Sequence, residues 1–517
     1  MGVGHPDPEV PTDAVGRRVL CGADRATVRY VGPVPPTTGL WLGVEWDEPD
    51  RGKHDGSHDG VQYFSCRHPK GGSFVRPAKA NFGVDYVTAV RQVYDSEVEA
   101  VLSEDAAIPV TWTPVKNRSL QSLTSVLLNN AGVSGVGSDG EVRKMTPNVE
   151  WLDLSRSLMS SWKNVAEICE QLEKLERLVL SFNRLSLTSG PLVHCQAFCR
   201  LKVLSLISCD LTWPQILECA PMWPQLEELY VEENNITELQ RPEGVLQNIR
   251  CLNLSSNPLQ QETLLCLSTL NRLEQLNLSN TGLSIICFDD VAPGCQTAMF
   301  PALTELNLHN NNISEWSVVD ELSKLSSLVK LSIHHNLLAT KDRNRKTADQ
   351  VLIAKMGRLE TLNNSQIPPQ ERRGAELDYI KMFGEEWLKA GGQSQINDHF
   401  ACQHPHYQSL ILKYGAPEEG ELKKPLPFAL KNQLLKIKFV FPDDAEKMPI
   451  EKKLPASMIV QKVKGVLHRL VKIPVSNLKL SYTSPKKAGT EFEIDSDMKT
   501  LHFYSIEDGD QILVRWS

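Results

Sequence analysis

One spacing governs the middle of this chain. The frame L-x-x-L-x-L-x-x-N-x-L reads Leu175, Leu178, Leu180, Asn183, Leu185, and again Leu226, Leu229, Val231, Asn234, Ile236. It continues as Ile249, Leu252, Leu254, Asn257, Leu259; Leu303, Leu306, Leu308, Asn311, Ile313; and Leu328, Leu331, Ile333, Asn336, Leu338. Looser copies start at Leu123, Val149, Leu201 and Leu273, with Ala131, Ser157, Cys209 and Thr281 in the Asn place. Starts fall mostly 23–30 residues apart. A unit this short cannot bury its apolar residues alone, so successive units must stack. Each L-x-L predicts a short strand whose alternate side chains point inward. The Asn place turns the chain, its amide pairing with backbone groups of the neighbouring coil; Cys209 and Thr281 are fitting substitutes there.

This pattern is the leucine-rich-repeat signature, and it predicts an α/β solenoid over 120–390. After Leu359-Glu-Thr-Leu362 and Ile367-Pro-Pro, the stretch resembles the C-terminal cap of intracellular leucine-rich-repeat proteins, with Asp378–Leu388 in the covering helix. Residues between the inward leucines are expected on the concave face, where solenoids bind partners. Trp151, Arg177, Ile207, Glu228, Tyr230, Glu232, His309 and His334 are the candidates there. Their mixed character, without a repeated basic register, points to a protein rather than a nucleic-acid ligand.

Charge supports that exclusion: 55 Lys+Arg against 63 Asp+Glu give −8, whereas nucleic-acid binders are usually basic. No run approaches the roughly 18 apolar residues of a membrane helix, and the start Met1-Gly-Val-Gly-His-Pro lacks a secretory leader's pattern. Twelve scattered cysteines read as reduced core residues, so a cytoplasmic, multidomain protein is expected. Cys402-x-His404-x-His406 lacks a second ligand pair, and no nucleotide, hydrolase or metalloprotease motif is present, so neither a metal, a cofactor nor catalysis is expected.

The N-terminal stretch reads Trp41-Leu-Gly43-Val44, Gly52-Lys53-His54-Asp55-Gly56, Gly60-Val-Gln-Tyr63-Phe64-Ser-Cys66 and Gly72-Ser-Phe74-Val75-Arg76-Pro77. Glycines permit tight turns and close approach, and the aromatics offer an apolar slot. Arg67, Lys70, Arg76 and Lys79 are basic, with no acid between Gly60 and Val84, so an acidic, aromatic or carboxylate-ended peptide is the natural ligand. These ordered motifs resemble the CAP-Gly domain, a small β-rich barrel expected over 14–90. The resemblance implies binding of the acidic, aromatic C-terminal tail of α-tubulin. Carried over, Lys53 and His54 hold the terminal carboxylate while Trp41, Phe64, Phe74 and Arg76 line the groove. His54 stands where the family has Asn, which adds pH sensitivity should it titrate near pH 6–7.

After linkers at 91–119 and 391–432, residues 433–517 alternate β-like runs with one amphipathic segment that Ser457 is expected to N-cap. The order ββαββ, closing after Glu507-Asp-Gly-Asp510, resembles the β-grasp of ubiquitin-like domains. Its ending, Trp516-Ser517 rather than Gly-Gly, suits docking rather than conjugation.

CAP-Gly, leucine-rich repeats and ubiquitin-like module in this order resemble the tubulin-folding cofactors. That resemblance implies a non-enzymatic chaperone that captures α-tubulin. It would work with cofactor B, cofactor C and the β-tubulin–cofactor D complex in assembling and dissociating the heterodimer. Cytoplasmic, cytoskeleton-associated localisation goes with it, without membrane insertion. Two alternatives stay open: a microtubule-tip or organelle adaptor, which would co-sediment with polymer, and a ubiquitin-like scaffold linking tubulin to the proteasome.

Overall fold

A computed structural model describes residues 10–94, 119–187, 190–338, 345–393, 397–417, 434–444, 446–485 and 490–516. The chain divides into two compact units, Met1–Leu283 with Phe300–Asn310, and Ser284–Met299 with Asn311–Ser517.

In the first unit, strands Arg18–Cys21, Asp24–Pro33, Leu40–Trp46 and Gly72–Val75 pair antiparallel in that order. Alternation puts Val19, Ala26, Val28, Leu42, Val44 and Trp46 into a core on one side of this sheet. A bulge between Val28 and Tyr30 inserts one residue, after which Tyr30 pairs with Gly43 and Gly32 with Trp41. Without it Tyr30 would point into the core; with it Tyr30 is re-aimed to the opposite face.

Eight strands of the repeat array follow in this unit: Ser125–Leu127, Trp151–Asp153, Arg177–Val179, Val203–Ser205, Glu228–Tyr230, Cys251–Asn253, Gln275–Asn277 and Glu305–Asn307. Each runs parallel to the next, in register at the central apolar residue. That residue (Val126, Leu152, Leu178, Leu204, Leu229, Leu252, Leu276, Leu306) is buried in every strand.

The Asn places form a hydrogen-bonded ladder between coils. Asn234 Nδ2 donates to the carbonyls of Leu206 (2.8 Å) and Val231 (3.0 Å), while its Oδ1 accepts from the Cys209 and Leu211 N–H groups (2.9 and 3.1 Å). Asn257 Oδ1 accepts in the same way from Asn234 and Ile236. The Cys209 thiol donates to Leu180 O at 3.3 Å and Thr281 Oγ1 to Leu278 O at 2.8 Å, so both substitutes keep the ladder's donor.

Helix Tyr86–Tyr94 buries Tyr86, Val87, Ala89 and Val90. Its Tyr86 hydroxyl meets Thr146 Oγ1 at 3.0 Å, and the Leu127 N–H donates to Tyr94 Oη at 2.9 Å. Residues that the sequence divides between the N-terminal module and a linker therefore close the open end of the array. Of that linker, 95–118 lie outside the described residues.

In the second unit, strand Lys330–Ser332 pairs parallel with Thr361–Leu362, and the chain turns through left-handed Asn363 and Asn364 into Ser365–Gln366. Helix Pro369–Lys389 follows. The sequence places a linker over 391–432, but helices Asp398–Gln403 and Tyr407–Tyr414 occur inside it. Phe400, Tyr407, Leu410 and Ile411 join Tyr379, Ile380 and Trp387 in one core. Gly391-Gly392 and the Gly415–Pro427 run mark that stretch as a linker, yet four buried apolar side chains suffice to fold its centre onto the cap; 394–396 and 418–433 lie outside the described residues.

The C-terminal sheet has the order Ile450–Pro455, Leu434–Val440, Gln511–Trp516, Leu478–Thr483, Phe492–Ile494, with Leu434–Val440 parallel to Gln511–Trp516 and helix Val460–Val471 packed on it. This is a β-grasp with one more short strand, Phe492–Ile494, than the sequence pattern shows. Ser457 is not the helix cap: Ile459 occupies that position without a side-chain bond. The free N–H groups of Val460 and Gln461 donate instead to the Lys499 and Asp497 carbonyls, both 2.8 Å away.

The same unit joins this module to the cap helix at Gly374. A Cβ there would stand 2.7 Å from the Phe503 carbonyl oxygen and 3.2 Å from Ser505 Oγ. Arg373 flanks the notch with its guanidinium 4.0 Å from the Phe492 ring centre, and Lys381 pairs with Glu507. Gly374→Ala raises helix propensity by about 1 kcal/mol, yet it should release the module. Urea unfolding is expected to gain a separate β-grasp transition at lower denaturant concentration; a profile with every midpoint unchanged would contradict the notch.

Candidate functional site

The candidate groove is built by strand alternation. Tyr30 faces Gly43, Gly32 faces Trp41 and Gly43 faces Phe74 across three adjacent strands, so all five share the sheet face away from the core, and Arg76 follows just past the third strand's end. The glycines leave room: a Cβ on Gly43 would lie 2.5 Å from the Phe64 ring and 2.9 Å from Tyr30 Cβ. Gly56, at φ +105°, would place a Cβ 2.0 Å from the Phe64 carbonyl oxygen. Backbone bonds from Lys53 N and His54 N to Gly72 O, and from Gly72 N to His54 O at 2.7 Å, pin the Gly52–Gly56 turn against strand Gly72–Val75.

Phe74 is the centre of the resulting aromatic cluster. Its ring centroid lies 5.0 Å from His54, 5.4 Å from Tyr63, 5.5 Å from Phe64, 6.2 Å from His58 and 6.4 Å from Tyr30. Beside it the Arg76 guanidinium stacks 3.8 Å from the Trp41 ring centre and donates to the Thr38 and Leu40 carbonyls (2.9 and 3.2 Å). Trp41 Nε1 in turn donates to Thr37 Oγ1 at 2.8 Å. A planar cation held this way needs little reordering to meet a carboxylate. Lys53 is exposed next to His54.

His54 Nδ1 accepts from the Gly56 N–H at 3.0 Å, which leaves the ring proton on Nε2. Burial pulls its pKa below 6.5, and Lys53 and His58 act in the same direction against Asp55. Neutral His54 therefore offers an N–H donor, the role an amide would play. A carboxylate ligand should bind more tightly as His54 protonates, and the depressed pKa puts this gain below pH 6.5. Affinity should be flat from pH 8 to 7 and rise toward pH 5.5, and the His54→Asn variant should lose the rise; a midpoint above pH 7 would contradict the depressed pKa.

The sequence-predicted set is not uniform. Phe64 is buried beneath Gly43 and Gly56 and forms the groove's floor. Tyr30, His58 and Tyr63 join the cluster although the sequence does not single them out as ligand contacts. Tyr63 was legible in its motif, but Tyr30 depends on a bulge that leaves no residue signature. Arg67, counted in the basic stretch, is already engaged. Its backbone N–H and Nε bond Glu45 Oε1 at 2.8 and 3.1 Å, and its guanidinium pairs with Asp210 of the repeat array. Burial would raise the Glu45 pKa, but the bonds from Arg67 and Arg29 hold it below the usual carboxylate value. A further bond joins Arg25 to Asn130, so the groove module is fastened to the array at two places.

On the solvent side of the array's sheet in the first unit, Arg177 stacks on Trp151 at 5.6 Å. Tyr230 Oη donates to Glu228 Oε2 at 2.9 Å, and Asn253 donates to Glu232 Oε1. Burial pushes Glu232 up to about 7, and its Oε2 is buried without a hydrogen bond. Ile207 is half-buried, and His309 N–H donates to Asn307 Oδ1 at 3.0 Å. In the second unit, His334 N–H donates to Asn363 Oδ1 at 3.1 Å. Among the described residues no helix is long and apolar enough to cross a membrane.

The CAP-Gly domain model matches residues 15–80 and a ubiquitin-like domain model matches 439–515. The chain is 59% identical to tubulin-specific chaperone E of Danio rerio, covering 98% of this chain and 99% of the relative. Identity is 48% to the Homo sapiens protein of that name (98% and 99% covered) and 30% to the Drosophila melanogaster one (97% and 98%). Among solved structures, the C-terminal ubiquitin-like domain of mouse tubulin-specific chaperone e is 54% identical, covering 16% of this chain and 88% of its own, at a TM-score of 0.16. The Bik1 CAP-Gly domain with an ETF peptide from Bim1 is 30% identical, covering 13% and 90%, at a TM-score of 0.12.

Proposed function

The chain belongs to the tubulin-specific chaperone E family, and from that membership we propose how it works as a tubulin-folding cofactor: it captures α-tubulin at two places at once. The groove lined by Trp41, Lys53, His54, Phe74 and Arg76 takes the acidic, aromatic tail, while the sheet face around Trp151, Arg177, Glu228, Tyr230 and Glu232 meets the folded body. The observation that carries this reading is the Trp41–Arg76 stack standing beside the Phe74–His54 cluster on one sheet face. Because Arg67 and Arg25 fasten the groove to the array, tail binding raises the effective concentration of the body at the sheet face. Cofactor B, cofactor C and the β-tubulin–cofactor D complex are the partners of this reading in heterodimer assembly and dissociation, with the cytoplasm as its place. The ubiquitin-like module is the candidate contact for other cofactors or the proteasome.

A fluorescently labelled acidic peptide ending in an aromatic residue tests the groove. Removing that last residue should weaken binding roughly tenfold, about 1.4 kcal/mol; equal affinity for both peptides would remove the groove from the mechanism. Size exclusion with tubulin heterodimer, alone and with cofactor D, tests the rest: soluble complexes support the chaperone reading, and pelleting with polymer supports an adaptor.

A further inference from the structure

Each of the eight array strands in the first unit is followed, four residues past its central apolar residue, by a left-handed position at φ +51 to +64°. Backbone bonds stack these positions from coil to coil: the Arg156 N–H donates to Ser181 O at 2.9 Å and the Phe182 N–H to Ile207 O at 2.8 Å, so their side chains form a row. Asn fills the row at 130, 280 and 310, and Ser at 208 and 256. Asn tolerates a left-handed backbone well, yet Arg156, Phe182 and Glu233 stand in the remaining places. Bulky residues held in that conformation cost stability, and such departures from a local rule tend to mark function.

The groove module lies against this row, where Arg25 of strand Asp24–Pro33 bonds Asn130. Between module and row is a cavity of about 440 Å³, within the range of small-ligand sites. Three of its acids are already taken: Asp24 by Arg51, Asp47 by both terminal nitrogens of Arg18, and Asp210 by Arg67. Glu48 is exposed, and Glu233 accepts from Ser208 Oγ at 2.7 Å. Arg25, Arg156 and Arg184 are therefore left without an acid partner. A guanidinium offers a fork of N–H donors, and these three use few of theirs. Among the described residues Arg25 bonds only Asn130, Arg184 only Ser208 O at 2.7 Å, and Arg156 stacks on Phe182 at 4.3 Å. The Nε atoms of Arg25 and Arg184 are buried with no acceptor. Burial holds both pKa values below that of an ordinary arginine, and nearby Asp47 offsets only part of the effect.

We propose that this cavity holds a phosphate-bearing ligand between Arg25 of the groove module and Arg156 and Arg184 of the array. Planar guanidiniums grip phosphate through paired hydrogen bonds, and a phosphate brings more strong acceptor oxygens than a carboxylate. The ligand supplies acceptors that the protein leaves out, and by meeting both modules it ties the groove to the array. The site is separate from the tail groove: Trp46, which lines the cavity, belongs to the core side of the groove module's sheet.

Pyrophosphate and acetyl-phosphoserine-amide, each titrated into the full chain by isothermal calorimetry, test it. At least one should bind at roughly 10–100 µM and raise the melting temperature. Tighter pyrophosphate assigns the site to a free phosphorylated compound, and tighter acetyl-phosphoserine-amide to a phosphorylated side chain. Arg156→Asn supplies the residue that the row carries at 130, 280 and 310. Its melting temperature without ligand should match or exceed the parent's, while its affinity falls at least about tenfold. Arg184→Gln should weaken binding by a similar factor. Arg200→Asn, which removes an exposed arginine outside the cavity, should change affinity less than about twofold. No binding of either probe up to roughly 5 mM, full affinity in the Arg156→Asn variant, an equal loss in the Arg200→Asn variant, or losses that only accompany lower melting temperatures would each overturn the proposal.

Discussion

Replacing Asn234 with alanine is expected to destabilise the first unit by about 4 kcal/mol. The side chain satisfies two N–H groups and three carbonyls of its own and the preceding coil, and it is 2% exposed. Each buried backbone group left without a partner costs roughly 1–3 kcal/mol, and alanine can replace none of these bonds. The total is a large part of the roughly 5–15 kcal/mol that holds a typical domain together. Asn277→Ala is the matched control: it stands on the solvent side and accepts from the Ser279 N–H, so its loss should stay below about 1 kcal/mol. Urea unfolding followed by far-UV circular dichroism compares the two. Equal midpoints for the Asn234 and Asn277 variants would mean that water replaces the ladder's bonds.

Phe74→Ala should reduce tail affinity roughly 100-fold, close to 3 kcal/mol, as expected for a central aromatic anchor. Five rings converge on Phe74 at 5.0–6.4 Å, so its loss removes both the slot and the support that orients His54. The sheet core lies on the other face, and circular dichroism should show the module still folded. Arg76→Lys separates charge from shape. It keeps the positive charge but loses the flat contact with Trp41, and roughly tenfold is the expected cost. Peptide anisotropy reads both variants; a Phe74 variant within threefold of the parent would place the tail elsewhere.

Position along the chain explains which features were readable in advance. The solenoid was legible because each repeat restates the same local rule, and Leu178 or Asn183 means the same thing in every copy. The groove's Trp41, Phe74 and Arg76 stood in motifs only a few residues long. Tyr30, by contrast, reaches the groove through a single inserted residue in its strand, and a bulge is a register event between strands rather than a residue type. Phe64 reads as a ligand contact from its motif, yet Gly43 and Gly56 open the space that draws it underneath.

Repetition, strand alternation and glycine placement are local properties, and the sequence by itself determined them: three modules, their order, the ladder and the chemistry of the groove. Tertiary structure alone decided where surplus charge and surplus chain went. Arg67 belongs to a purely basic stretch by sequence but spends its charge on Glu45 and Asp210, because a guanidinium is neutralised by whatever carboxylate the fold brings within reach. Residues 397–417 look like linker by composition, yet they pack Phe400 and Tyr407 against Trp387 and Tyr379 because the cap offers apolar surface there. Such pairings join residues distant in the chain, and no pattern within either segment records them.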